Sequence, residues 1–292
     1  MTTKCKNSCV LGLGVHLMAA TVLPLVFSFT LYSQRIAILI PEKNPQAEAV
    51  ANEISSSIAH HATVIDNSLA DAAFRSVHIE NVFNLTLDEG KRIGSVIGCD
   101  AFLLVKAESL RRTSAAKASY YESYAAIFAV DSRTGHLISW KLQNAEESSL
   151  QSAEKKLAEL IQVGKQATAR EILDSIGHDT AAVRNGEFNE MPADGSEESN
   201  GFRPPIPYLR IKPEYTTLAY LYSAKGTVEI LVDLDDKGTI VATEIERWVG
   251  FGLEDSVIQA VRKMNWRPAE RAGKPLPSRF LLRYNFKKIE RE

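Results

Sequence analysis

Three spacings of apolar residues organise most of this chain. From residue 35 to 40 the run Arg-Ile-Ala-Ile-Leu-Ile is nearly continuous, the pattern of a strand buried on both faces, and Pro41 stops it. Over 45–60, Ala47, Val50, Ile54 and Ile58 recur near one face, which predicts a helix. A short strand is expected at 63–65. A helix is expected at 86–97, opened by Thr86 with Glu89 three residues on, a capping box, and closed by Gly98. Residues 101–105 repeat the buried-strand pattern. Two longer strands, 119–131 and 136–143, flank the tight turn Asp131-Ser-Arg-Thr-Gly135, and a polar helix follows over 149–176. This alternation predicts an α/β domain over 35–177.

Near the C-terminus the period changes to a strict two. Val228, Ile230, Val232 and Leu234 face one way, while Thr227, Glu229 and Asp233 face the other, as in a half-buried strand. Asp235-Asp-Lys-Gly238 turns the chain into a return strand over 240–247, rich in β-branched residues. Gly250 and Gly252 then break the strand. Leu253, Val257, Ile258, Val261 and Met264 recur at helical spacing, so 253–265 reads as an amphipathic helix stopped by Pro268. A last strand, 279–286, puts Phe280, Leu282, Tyr284 and Phe286 on one face and Arg279, Leu281 and Arg283 on the other. The order β-β-α-β predicts a small antiparallel sheet with a helix over one face, so the whole chain is α+β in class, its end domain spanning 207–292.

Between the two lies a change of composition. Residues 178–206 include Asp194-Gly-Ser-Glu-Glu-Ser-Asn-Gly201 and the prolines Pro204 and Pro205, with Pro207 directly after, which predicts a flexible acidic linker. Fully extended, about thirty residues reach roughly 100 Å at most. At the other end, Lys4 and Lys6 precede an apolar run over 10–32 that is long enough to span a bilayer with the lysines cytoplasmic. Residues 1–34 are therefore expected to be a membrane anchor, with a signal segment cleaved near Ser33 as the alternative. His16 lies inside that run, where an ionisable side chain is costly.

The end domain resembles the C-terminal domain family of TonB, the periplasmic energy transducer. The matches are Pro213 and Tyr215, Gly226 with Val228, Asp235 with Gly238, Gly252-Leu253 with Asp255, Ala260-Val261, Pro268-Ala269, and Gly273 with Pro275. Thr216 stands where the family usually has a second proline, and Met264 where it has tryptophan. The resemblance implies an adaptor held in the bacterial inner membrane by a single span, with its other domains in the periplasm. Its end domain would bind a peptide of an outer-membrane receptor along the last strand, with Tyr215, Arg279, Leu281 and Arg283 as the contacting residues. It also implies membrane coupling through His16 to an ExbB–ExbD-like proton channel, although Gly12 occupies the family's serine position. The alternative is an envelope scaffold or interaction protein that uses the domain without energy coupling. The middle domain more distantly resembles CsgG-like and TolB N-terminal α/β domains, through its helix ending in Gly98-Cys-Asp100, the following strand, and the strand pair across Asp131–Gly135.

Composition narrows the function further. The 292 residues carry a formal net charge of −2 with no basic stripe, which argues against nucleic acid as a partner. Of Cys5, Cys9 and Cys99, only Cys99 lies beyond the apolar run, so no disulfide is expected within the folded part. No Cys/His spacing fits a metal site, and no phosphate loop, nucleophile elbow or His-Glu-x-x-His occurs. Asp131, Arg133 and Thr134 are turn residues, and His60-His61 ends a helix. A non-enzymatic protein without cofactors is the expectation.

Overall fold

The computed structural model describes residues 33–116, 118–176, 187–193 and 195–288. Residues 1–32 of the expected anchor, with His16, lie outside the described residues, as do residues 178–186 and 194 of the expected linker. Among the described residues no helix is long and apolar enough to cross a membrane.

The first half is a five-stranded sheet with helices on both faces. Its elements in chain order are β1 (Arg35–Leu39), α1 (Pro45–Ile58), β2 (Thr63–Val64), α2 (Asn67–Ser76), α3 (Leu87–Ile97), β3 (Ala101–Arg112), β4 (Tyr120–Asp131), β5 (Leu137–Glu147) and α4 (Leu150–Ser175). The strand order is β2-β1-β3-β4-β5, with β1 parallel to β2 and β3, and β3, β4 and β5 antiparallel. Alternation along each strand builds two different faces. Ile36, Ile38, Leu103, Val105, Ile127 and Ala129 pack under α1 and α4. Ala37, Leu39, Phe102, Leu104, Phe128 and Val130 face the other way, into a second core. The capping box closes as expected: the Thr86 hydroxyl accepts from the Glu89 amide at 3.1 Å, and the Glu89 carboxylate accepts from the Thr86 amide at 2.8 Å.

The remaining elements are β6 (Asn189–Glu190), β7 (Phe202–Arg203), β8 (Ile206–Pro207), α5 (Thr217–Leu221), β9 (Gly226–Leu234), β10 (Ile240–Arg247), α6 (Leu253–Arg262), β11 (Trp266–Arg267), β12 (Ala269–Arg271), β13 (Lys274–Leu276) and β14 (Ser278–Phe286). The main sheet runs β10-β9-β14-β6. Strand β9 is central and antiparallel to both long neighbours, and α6 covers its apolar face: Val228, Ile230, Val232, Leu253, Val257 and Val261 are each fully buried. The Asp235 turn is closed by its own carboxylate, which accepts from the amides of Lys237 at 2.9 Å and Thr239 at 2.7 Å.

Three differences from the sequence pattern stand out. Helix α2 fills a stretch with no expected element. It is capped by Asp66, whose carboxylate accepts from the amides of Ser68 and Leu69, but it buries only Ala70, too little for an apolar stripe. Helix α6 ends at Arg262, before Pro268, because Trp266 and Arg267 pair with Pro207 and Ile206. The described residues of the 178–206 segment are held against the end domain by strand pairing: β6 on β14, β7 on β12 and β8 on β11.

The largest difference is that the two halves share one core. The second face of the five-stranded sheet is roofed by α2, α3 and the end domain, and the apolar cluster runs without a break from Phe102 and Phe128 to Trp248, Val257 and Phe280. The loop Trp248-Val-Gly-Phe-Gly252 is the plug. Phe128 meets Trp248 at 6.0 Å and Phe251 at 5.8 Å between ring centroids, and Trp140 meets Phe251 at 5.5 Å. Gly250 sits at φ +83°, and a Cβ there would lie 2.6 Å from Phe128 Cε1, so only glycine lets the rings close.

Candidate partner-binding edge

Strand β14 is paired along its whole length on one side only. Nine of its residues register with β9, from Ser278 opposite Leu234 to Phe286 opposite Gly226. On its other side β6 pairs with Ser278 and Arg279 alone. Beyond Arg279, no strand among the described residues lies beside β14. Backbone direction follows from one bond: the Asn189 amide donates to the Pro277 carbonyl at 3.1 Å, so residue 277 faces outward. Backbone groups alternate sides along a strand, so Arg279, Leu281, Arg283 and Asn285 also present N–H and C=O to the open side. An edge of this kind accepts an added strand.

Side chains alternate as expected. Phe280 and Phe286 are buried, Leu282 and Tyr284 half-buried, and Leu281, Arg283 and Asn285 exposed. The arginines, however, are already engaged. Arg279 makes a bidentate pair with Asp233 on β9, at 2.7 Å and 2.9 Å, and Asp233 is 1% exposed. That carboxylate pushes the Arg279 guanidinium further up from its ordinary range. Arg283 reaches Glu229 at 2.7 Å, and the same carboxylate lies 3.6 Å from Arg247. Both guanidinium groups thus lie across the sheet face as cross-strand ties, and Leu281 is the one member of the expected outward trio without such a tie.

Tyr215 is likewise a structural fastener. Its hydroxyl donates to the carbonyls of Ala224 at 2.8 Å and Ala219 at 3.1 Å, holding α5 and the turn after it. Its ring stacks at 6.2 Å on Phe286 and meets Tyr220 edge-on at 6.5 Å. With Pro213, Tyr284 and the lysines Lys212 and Lys287 these rings line a hollow of about 450 Å³ at the far end of the open edge. Tyr215 therefore meets the end of β14 on its inward face, through Phe286, and is not brought together with Arg279, Leu281 and Arg283 on the other face. No group of three His, Cys, Asp or Glu side chains that could hold a metal occurs among the described residues.

Sequence reasoning missed the seam beside this site. Asn84, 5% exposed, donates to the carbonyls of Thr227 and Trp248, each at 2.8 Å, and accepts from the Thr227 amide at 3.0 Å. Glu122 of the middle sheet accepts from the Tyr222 hydroxyl at 2.6 Å, Asn144 at 2.9 Å and Arg112 at 2.8 Å. Burial alone would raise the Glu122 carboxyl, but the bonds from Tyr222, Asn144 and Arg112 outweigh it and hold the group below the usual range. Glu254 accepts from the amides of Val249 at 2.6 Å and Gly250 at 2.8 Å, and burial pushes its carboxyl up in spite of them. The available signal was three large apolar residues, Trp248, Val249 and Phe251, in a stretch read only as a strand break.

An α+β unit with an open edge on its last strand is the class of domain this geometry defines. Residues 211–287 match the family described as Gram-negative bacterial TonB protein C-terminal. Among solved structures, the solution structure of the Pseudomonas aeruginosa TonB CTD is 18% identical, covering 37% of this chain and 100% of its own, with a TM-score of 0.28. Lipoprotein GNA1162 from Neisseria meningitidis is 17% identical, covering 48% of this chain and 99% of its own, with a TM-score of 0.32. The hypothetical protein CT253 from Chlamydia trachomatis is 13% identical over 49% of this chain and 94% of its own, with a TM-score of 0.29. No curated protein matches the sequence.

Proposed function

We propose that this protein is a periplasmic TonB-like adaptor, held in the inner membrane by residues 10–32, whose end domain takes an extended segment of an outer-membrane receptor onto β14. The observation that carries the reading is the unpaired edge of β14 beyond Arg279 within the segment that matches the TonB C-terminal family. Main-chain bonds to Leu281, Arg283 and Asn285 supply affinity, and the aromatic hollow at Tyr215 and Phe286 supplies selectivity. Coupling of the protein to proton-motive energy rests on His16 meeting an ExbB–ExbD-like channel.

A second reading is favoured by the shared core. An end domain sealed to the middle sheet through Trp248 and Asn84 suits an envelope scaffold that binds the same kind of segment without energy coupling. Leu281→Pro tests the binding common to both. The Leu281 amide faces outward, so proline removes a donor from the open edge and takes nothing from the β9 ladder. Full-length protein carrying Leu281→Pro should stay folded and lose binding of synthetic peptides copied from the periplasmic termini of outer-membrane receptors. Undiminished binding places the site elsewhere. His16→Ala separates the two readings: lost receptor-dependent uptake with normal membrane insertion supports coupling, and unchanged uptake leaves the scaffold.

A further inference from the structure

We infer that the segment Phe188-Asn-Glu-Met191 is a built-in competitor for the β14 edge, and that the partner strand it gives way to runs parallel to β14 with the same order of side chains: aromatic, polar, acidic, apolar. The inference rests on β14 being the docking edge proposed above.

The contacts of these four residues carry it. Strand β6 pairs parallel with β14, Asn189 opposite Ser278 and Glu190 opposite Arg279, one of the two geometries in which a strand can be added to an open edge. Asn189 grips the Pro277 carbonyl twice, by its amide at 3.1 Å and by its side-chain Nδ2 at 3.0 Å. Phe188 lies 5.5 Å from the Arg279 guanidinium, a cation–π contact, and the Glu190 carboxylate lies 3.9 Å from the same group. Met191 packs against the core of the end domain. Arg279, tied to β9 by Asp233, is thus also the fixed platform on which the chain's own segment rests.

The contact is short. Two paired residues, one exposed ion pair and one stacked ring are a small hold beside the nine-residue pairing of β14 with β9. A longer incoming strand can pair with Leu281, Arg283 and Asn285 first and then displace β6 stepwise from Arg279. The resident segment has the advantage of being tethered, so it sets a threshold that a partner must exceed.

The test uses the full-length protein in detergent and a fluorescein-labelled peptide with this chain's own sequence, Glu-Phe-Asn-Glu-Met-Pro-Ala, carrying a benzophenone at its last position. The double variant Phe188→Ala, Asn189→Pro empties the edge by removing the stacked ring and the donated amide. Anisotropy should show the peptide binding the variant at least roughly tenfold more tightly than the wild type, as release of a mostly closed site requires. Photo-cross-linking should then mark the tryptic fragment containing Leu281. A peptide with proline at its asparagine position should not bind. Equal affinity for variant and wild type overturns the inference, as does a variant that keeps its circular dichroism spectrum but does not bind the peptide. If the self-peptide binds the variant and receptor peptides bind neither protein, the competitor stands and the receptor reading fails. If receptor peptides bind both equally and the self-peptide binds neither, the receptor reading stands and the competitor fails.

Discussion

Asn84 is the residue on which the unity of the two halves can be weighed. Its side chain makes three hydrogen bonds to the backbone of Thr227 and Trp248 across more than 140 positions of sequence, in a site with 5% exposure. Asn84→Ala leaves two carbonyls and one amide buried without those partners. A satisfied bond contributes about 1 kcal/mol net and an orphaned buried group costs about 1–3 kcal/mol, so with partial entry of water the loss should be about 3 kcal/mol. For a unit of this size each kcal/mol lowers the midpoint by roughly 2–4 °C, so thermal unfolding should shift down by roughly 6–12 °C. The assay is calorimetry of wild type and variant beside tryptophan fluorescence, since Trp140 lies in the middle sheet and Trp248 and Trp266 in the end domain. The continuous core predicts one coincident transition in the wild type. Two wild-type transitions, or an Asn84→Ala loss below about 1 kcal/mol, would refute the claim that the seam is part of one cooperative structure.

Gly250→Ala should destabilise by at least about 2 kcal/mol, because it combines a left-handed backbone with a methyl driven into Phe128; urea titration measures it. Arg279→Glu should cost about 3 kcal/mol by leaving Asp233 buried beside a second carboxylate, so loss of binding in that variant reports unfolding, which chemical denaturation will reveal. Stability against pH should show two opposed contributions. Glu122, held below the ordinary carboxyl value of 4.5, stabilises above that value and the gain is lost as pH falls through its folded pKa; Glu254, held above 4.5, favours the fold while protonated and that gain is lost as pH rises through its folded pKa. Accordingly Glu122→Gln should flatten the acid limb of a stability–pH profile and Glu254→Gln the limb above 4.5, and profiles parallel to wild type would contradict both assignments. Isolated residues 207–292 should bind a hydrophobic dye strongly, since Trp248, Val249 and Phe251 lose the sheet that covers them; absence of dye binding would show that the end domain closes over these side chains by itself.

What was legible in the sequence was whatever is decided locally. The Thr86–Glu89 box, the Asp235 turn and the alternation of β9 and β14 depend on residues a few positions apart, and each stands where its pattern put it. The TonB-like segment was legible because its turn glycines and apolar positions are ordered along one short stretch. The engagement of the site residues was not. Whether Arg283 points at a partner or at Glu229 depends on which strand lies beside it, and 54 residues separate the two. The seam was hidden for the same reason, since Asn84 has no pattern around it and its side chain bonds to Thr227 and Trp248, more than 140 positions away. Helix α2 escaped because a helix that buries a single alanine has no stripe to read.

The seam also decides how a pull would travel through the molecule. A strand added to β14 and drawn along its own axis loads the flanking hydrogen bonds together in shear, rather than opening them one at a time. Tension entering at β14 passes to β9 through nine paired residues, and from Gly226-Thr227 at the start of β9 to Asn84 and the five-stranded sheet. That route is made of hydrogen bonds and packed side chains, in addition to the covalent chain. The end domain is therefore not a weight on a string: the middle sheet takes the load through the seam itself.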